Sequence, residues 1–112
     1  MKLRVALAQI NPTVGDLAGN AALISKYAKD AHAASADVVV FPEMVLTGYP
    51  VEDLAMRASF RSASKNALAQ LVSTLEPSIV SVVGYLDESS TGAPSDITIN
   101  IFLSSFRFFI LL

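Results

Sequence analysis

Residues 36–41, ADVVVF, place three consecutive β-branched side chains ahead of a phenylalanine, with no charge after Asp37. A short run of this kind is a strand buried on both faces, the pattern of a parallel strand covered on each side. A second such stretch lies upstream. Residues 3–10, LRVALAQI, alternate Leu3, Val5, Leu7 and Gln9 on one side with Arg4, Ala6, Ala8 and Ile10 on the other. That stretch is also apolar enough to be packed on both sides. Between the two runs a helix is predicted over about 17–35, after an NPTVGD loop punctuated by Pro12 and Gly15. Asp16 is its candidate N-cap. Leu17, Ala21, Ile24, Ala28 and Ala31 recur at helical spacing, and Lys26, Lys29 and Asp30 fall largely opposite. Strand, helix and strand within about 40 residues make a βαβ unit, which requires parallel neighbouring strands. The expected fold class is therefore α/β.

Downstream, the loop PEMVLTGYPVED leads to a helix predicted over about 51–75, with a break near Ser59. Arg57, Arg61 and Lys65, spaced at four, are expected on a solvated face. Leu68, Leu71 and Leu75 are expected on the buried stripe, and Pro77 is a stop signal. SIVSVVGYL, 78–86, reads as a third strand, followed by the turn-rich DESSTGAPSD. The last stretch, ITINIFLSSFRFFILL, changes character. It fits either a terminal pair of strands or a tail foreign to this fold, and its β-propensity and low charge make it an aggregation hazard if exposed. At about 16 residues, with Arg107 inside it, it is short for a membrane span.

Composition narrows the function classes. The 112 residues carry a net charge of −2 and a pI of about 5.1, which leaves no basic footprint for nucleic acid or an anionic membrane surface. The chain has no cysteine, so it offers no disulfide and no thiolate nucleophile. His32 is the sole histidine, so no histidine-rich metal site is expected. His32 falls near the end of the first helix, where the bland expectation is an exposed side chain at the negative end of the helix dipole. The apolar run after Lys2 and Arg4 is shorter than the roughly 7–15 residues of a signal peptide, so a cytoplasmic location is expected. The hydrophobic content of 53% and mean hydropathy of +0.52 are high for so small a chain. Such a chain either buries most of its surface in a larger assembly or contains something anomalous.

Glu43 is the residue that asks for a chemical explanation. It is the one charged residue of VVVFPEMVLTGYP, 38–50, and is flanked by Phe41, Met44, Val45 and Leu46. In an open α/β sheet, ligands gather beyond the carboxyl ends of the strands. A carboxylate partly desolvated there is a usable general base near neutral pH. The plain alternative is that Glu43 caps a turn or points to solvent.

VVVFPEMVLTGYPVEDL, 38–54, resembles the first motif of the nitrilase, or carbon–nitrogen hydrolase, superfamily. VALAQINPTVGDLAGN, 5–20, is similar to the family's opening strand and loop. Together with VVGYLD, 82–87, and GAP, 92–94, these segments point to the branch formed by the glutaminase domains of glutamine-dependent NAD synthetases. The resemblance implies the N-terminal portion of an α-β-β-α sandwich, with residues 1–94 a partial glutaminase domain and 95–112 a divergent hydrophobic tail. It implies a Glu-Lys-Cys triad in which a cysteine thiolate attacks the glutamine side-chain amide, the glutamate relays the proton to ammonia and the lysine stabilises the oxyanion. Glu43 matches the glutamate. Tyr49 matches an aromatic lining the glutamine pocket, or is simply a packed loop aromatic. Glu52 and Asp53 are read as helix N-terminal acids. No lysine among Lys2, Lys26, Lys29 and Lys65 matches the triad lysine, and the cysteine is absent.

The resemblance thus implies a polypeptide inactive by itself, the front portion of an enzyme whose separate synthetase domain binds ATP and deamido-NAD. Glutamine is the implied small-molecule partner and the intact family is expected to form homo-oligomers. Two other expectations stand beside it. One is a non-catalytic half-domain that binds an intact homologue. The other is a small ligand-binding α/β domain using the loops at 11–16 and 43–50.

Overall fold

The computed structural model describes residues 2–87, 98–103 and 106–111, the last two stretches as backbone. The turn-rich stretch after Asp87, the GAP at 92–94 and the expected boundary after residue 94 lie outside the described residues.

Five strands form one sheet in the order β1-β2-β3-β4-β5: β1 (Val5–Leu7), β2 (Val38–Val40), β3 (Val80–Tyr85), β4 (Thr98–Leu103) and β5 (Phe106–Leu111). β1, β2 and β3 run parallel, with Val5, Val38 and Val80 in one row and Leu7, Val40 and Val82 in another. The βαβ expectation holds. β4 pairs antiparallel with β3, and β5 antiparallel with β4, so the C-terminal stretch is built as a strand pair.

Helix α1 (Leu17–Ala33) begins where its cap chemistry allows. The Asp16 carboxylate accepts a hydrogen bond from the Gly19 amide, and the Ala34 amide closes the other end on the Asp30 carbonyl. That satisfies backbone groups the helix itself leaves open. His32 is exposed in its last turn, as expected. The segment predicted as one long helix is two pieces: a 3₁₀ turn over Glu52–Met56 and helix α2 (Ala58–Thr74). The chain is extended at Arg57, φ −85° and ψ 116°, which puts the break two residues before Ser59. Glu52 and Asp53 lie in the first turn of the 3₁₀ piece rather than of α2.

Both helices lie on one face of the sheet. Ile24, Ala28 and Ala31 of α1 and Leu68 and Leu71 of α2 pack with Val39, Val83, Phe41 and Tyr85 in a single core. The alanines of α1 let its axis approach the valines closely, because a helix packs on a sheet at a distance set by its side chains. Arg61 departs from the expected solvated face: it is 6% exposed. The buried stripe of α2 runs Arg61, Ser64, Leu68, Leu71, spaced three and four apart, so the helix period carries Arg61 inward with Leu68. Its guanidinium donates to the Ala55 carbonyl at 3.0 Å, which pins α2 to the 3₁₀ turn.

The opposite face is aliphatic and lightly covered. Val38, Val40, Val80 and Val82 are half-buried there, and Val5 and Leu7 are 49% and 71% exposed. β1 is thus packed on one side, not on both as its composition suggests, because α1 and α2 occupy the other side. An open aliphatic face of this kind is what a sheet presents to a second packed layer.

At the end of β3 the loop after β2 folds back onto the sheet. A Cβ placed on Gly84 would lie 1.6 Å from the Glu43 carbonyl oxygen and 3.1 Å from its Cα. Only a residue without a side chain admits that approach.

Two substitutions test this packing. Ile24→Ala, at a fully buried position, is expected to cost about 2–5 kcal/mol in urea unfolding. Gly84→Ala is expected to cost at least about 1–3 kcal/mol by overpacking, and to shift the amide resonances of 43–48 more than those of α1. A neutral Gly84→Ala contradicts the close approach.

Candidate active site

The Phe41 amide donates to Val82 O at 3.0 Å, the last rung tying β2 to β3. Pro42 then removes a donor and the chain turns. Val45 N–H donates to Pro42 O at 3.1 Å and Gly48 N–H to Met44 O at 2.7 Å, winding residues 43–47 into a tight turn. Its inner side is buried: Met44 is 6% exposed, and Val45, Leu46 and Thr47 are fully buried. Glu43, Tyr49 and the two prolines are left outside. The turn therefore works as an anchor of four side chains that holds Glu43 at one end and Tyr49 at the other.

Sequence reasoning placed Glu43 and Tyr49 in one loop, and the structure brings them to the same carboxyl-end rim of the parallel strands. Two details differ. Glu43 is exposed, not partly desolvated, because its apolar neighbours Met44, Val45 and Leu46 turn into the core and away from it. Tyr49 is 76% exposed, so the packed-aromatic alternative does not describe it. Glu43 and Tyr49 are thus both exposed in the loop that follows β2.

A second loop supports the first. Gly15 N–H donates to Thr47 O at 2.8 Å. Gly48 has φ +77°, and a Cβ there would sit 2.6 Å from the Val14 Cα, so the NPTVGD backbone lies directly against the turn. Between them stands Asn20, 2% exposed. Its amide donates to Thr13 O at 2.8 Å and Leu46 O at 2.9 Å, and its carbonyl accepts from Thr13 N–H at 2.8 Å. Sequence reasoning missed Asn20 and Gly84. Asn20 left a readable trace: it is a polar residue within the apolar stripe Leu17, Ala21, Ile24. Gly84 left none, because a glycine inside a strand does not say what approaches it.

Among the described residues, no three His, Cys, Asp or Glu side chains come together as a metal site. None of the described helices is long and apolar enough to cross a membrane.

Comparison with known proteins places this arrangement. The carbon-nitrogen hydrolase family model matches residues 4–100. The chain is 42% identical over 80 residues to the glutamine-dependent NAD(+) synthetase of Synechocystis, covering 71% of this chain and 14% of that protein. It is 38% identical over 87 residues to the Thermotoga maritima counterpart, covering 77% and 15%. Among solved structures, the glutamine-dependent NAD+ synthetase of Acinetobacter baumannii, in complex with ADP, superposes with a TM-score of 0.84 at 30% identity over 94% of this chain and 19% of that one. An amidase from Nesterenkonia shares the fold, with a TM-score of 0.72 at 21% identity over 91% of this chain and 38% of that one. The chain thus spans about one seventh of the curated relatives it matches. The family match over residues 4–100, together with these relatives, shows that the chain belongs to the carbon–nitrogen hydrolase family, as an α/β partial nitrilase-like domain.

Proposed function

We propose that these residues form the front part of a glutaminase that supplies ammonia for ATP-dependent amidation of deamido-NAD, with Glu43 its general base. The observation that carries this is the placement of Glu43. It lies just past the carboxyl end of a parallel strand, its main chain set on Gly84 and its carboxylate outside. The likeness to glutamine-dependent NAD synthetases supports glutamine as the amide.

The chemistry follows from the carboxylate. Glu43 takes the proton of a cysteine thiol, and the thiolate attacks the side-chain carbonyl of glutamine. A lysine ammonium and backbone donors stabilise the tetrahedral oxyanion. Glu43 returns the proton to the leaving nitrogen, ammonia departs and a thioester remains. Glu43 then takes a proton from water as its oxygen adds to the thioester carbonyl, the C–S bond breaks to release glutamate, and the proton returns to the departing thiolate. Tyr49 lines the glutamine pocket from the far end of the turn. The 112 residues contain no cysteine, so the thiol comes from outside them; the family resemblance assigns the triad lysine and the groups that bind ATP and deamido-NAD to other parts of the enzyme as well. Homo-oligomerisation and a cytoplasmic setting belong to the same proposal.

The aliphatic face formed by Val5, Leu7, Val38, Val40, Val80 and Val82 favours one further role, docking of this half-domain on an intact homologue. Failure to associate with a full-length synthetase at micromolar concentration removes that role.

The purified 112-residue chain is expected to release no ammonia from glutamine above background. A chimera in which residues 2–87 replace the corresponding segment of the Thermotoga maritima enzyme is expected to hydrolyse glutamine. In that chimera Glu43→Gln is expected to lower kcat about 10²–10⁴-fold, with the protein still folded. An active chimera whose kcat is unchanged by Glu43→Gln contradicts the assignment of the base.

A further inference from the structure

We infer that Asn20 is a positioning residue, which makes the NPTVGD loop and the Glu43–Gly48 turn one rigid body and so sets where Glu43 stands. The inference rests on Glu43 being the base only for its catalytic meaning; the mechanical claim stands on geometry.

A buried primary amide is costly unless its hydrogen-bonding groups are used. Asn20 makes three bonds, to Thr13 N–H, Thr13 O and Leu46 O, all at 2.8–2.9 Å. Two of these close a ring with Thr13, so the first loop is held in both directions. The third crosses to the turn, 26 residues away in sequence. It lands on Leu46, whose side chain is fully buried. The position of Leu46 in turn fixes the turn that begins at Glu43.

Asn20 sits one turn after the Asp16 cap, and its own amide donates to Asp16 O at 2.9 Å. Its side chain thus rises from the best-anchored part of the helix. An aliphatic residue at this place in the stripe would leave Leu46 O and both Thr13 groups without this partner. The Gly15-to-Thr47 bond and the tight Gly48-to-Val14 packing join the same two segments. Gly84 limits Glu43 from beneath, and Asn20 limits the same turn from the side. A turn so held loses little freedom when substrate arrives, which is the condition for a base placed before reaction rather than during it.

The test is amide hydrogen exchange of the whole chain by NMR, comparing wild type with Asn20→Ala, Asn20→Asp and the core control Val83→Ala. The informative amides are Gly15 and Gly48, because neither bonds to Asn20 itself. In both Asn20 variants these two are expected to exchange roughly 10- to 100-fold faster relative to the strand amides of β2 and β3. Val83→Ala is expected to speed all of them together. Unchanged relative exchange of Gly15 and Gly48 in the Asn20 variants overturns the inference and leaves Asn20 a residue of general stability. Should neither variant fold, the wild type decides the matter. As denaturant rises, Gly15 and Gly48 are expected to open in one step below global unfolding. Separate openings overturn the coupling. Glutaminase loss in Glu43→Gln reports the identity of the base, and this exchange pattern reports only where it is held, so either can fail alone.

Discussion

The carbonyl of Glu43 occupies the place where a side chain on Gly84 would be. That one contact settles much of the rest. It lets the chain leaving β2 turn across the end of β3 instead of running out past it. Once the turn is laid down, Met44, Val45 and Leu46 fall into the core and Glu43 is left at the rim. A methyl at Gly84 would push the turn outward, and the anchor and the carboxylate would move together. The chemistry of the loop thus depends on an absent atom in a strand about 40 residues further along the chain.

The layers explain why such a contact is available. α1 and α2 cover one side of the sheet with an alanine- and leucine-lined surface, and the core is continuous through Ile24, Val39, Leu71 and Val83. On the other side the rows Val5–Val38–Val80 and Leu7–Val40–Val82 carry only aliphatic groups. Gly84 continues that second side by the alternation of β3, so the Glu43 main chain rests at the end of the open valine face. A facing sheet stacked about 10 Å away would pass close to the carboxylate. Glu43 thus stands, exposed, at the end of that open face.

Much of this was legible in the sequence. The period-two and period-3.6 patterns gave the βαβ unit, the parallel pairing, the Asp16 cap and most of the buried helix stripe, because burial and backbone geometry impose those periods directly. Glu43 and Tyr49 stood out through their motif and their place after a strand, and the structure leaves both exposed in that loop. Arg61 was misread because basic residues four apart suggest a wet face, whereas the stripe extended back from Leu71 and Leu68 passes through Ser64 to Arg61. The desolvation expected for Glu43 failed because neighbours in sequence were counted as neighbours in space. Gly84 and the partners of Asn20 lay beyond reach for a related reason. Gly84 meets a segment about 40 positions away and the Asn20 bond to Leu46 spans 26, and no local period records a contact of that separation.

The most direct test of the account is the through-space proximity of Glu43 and Gly84 in the purified chain. The structure predicts nuclear Overhauser contacts between the Gly84 Hα protons and Glu43 Hα, alongside the cross-strand contacts of β2 with β3. Cross-strand contacts present without any Gly84–Glu43 contact would show that the sheet forms while the turn does not rest on it, and the proposed placement of the base would be wrong.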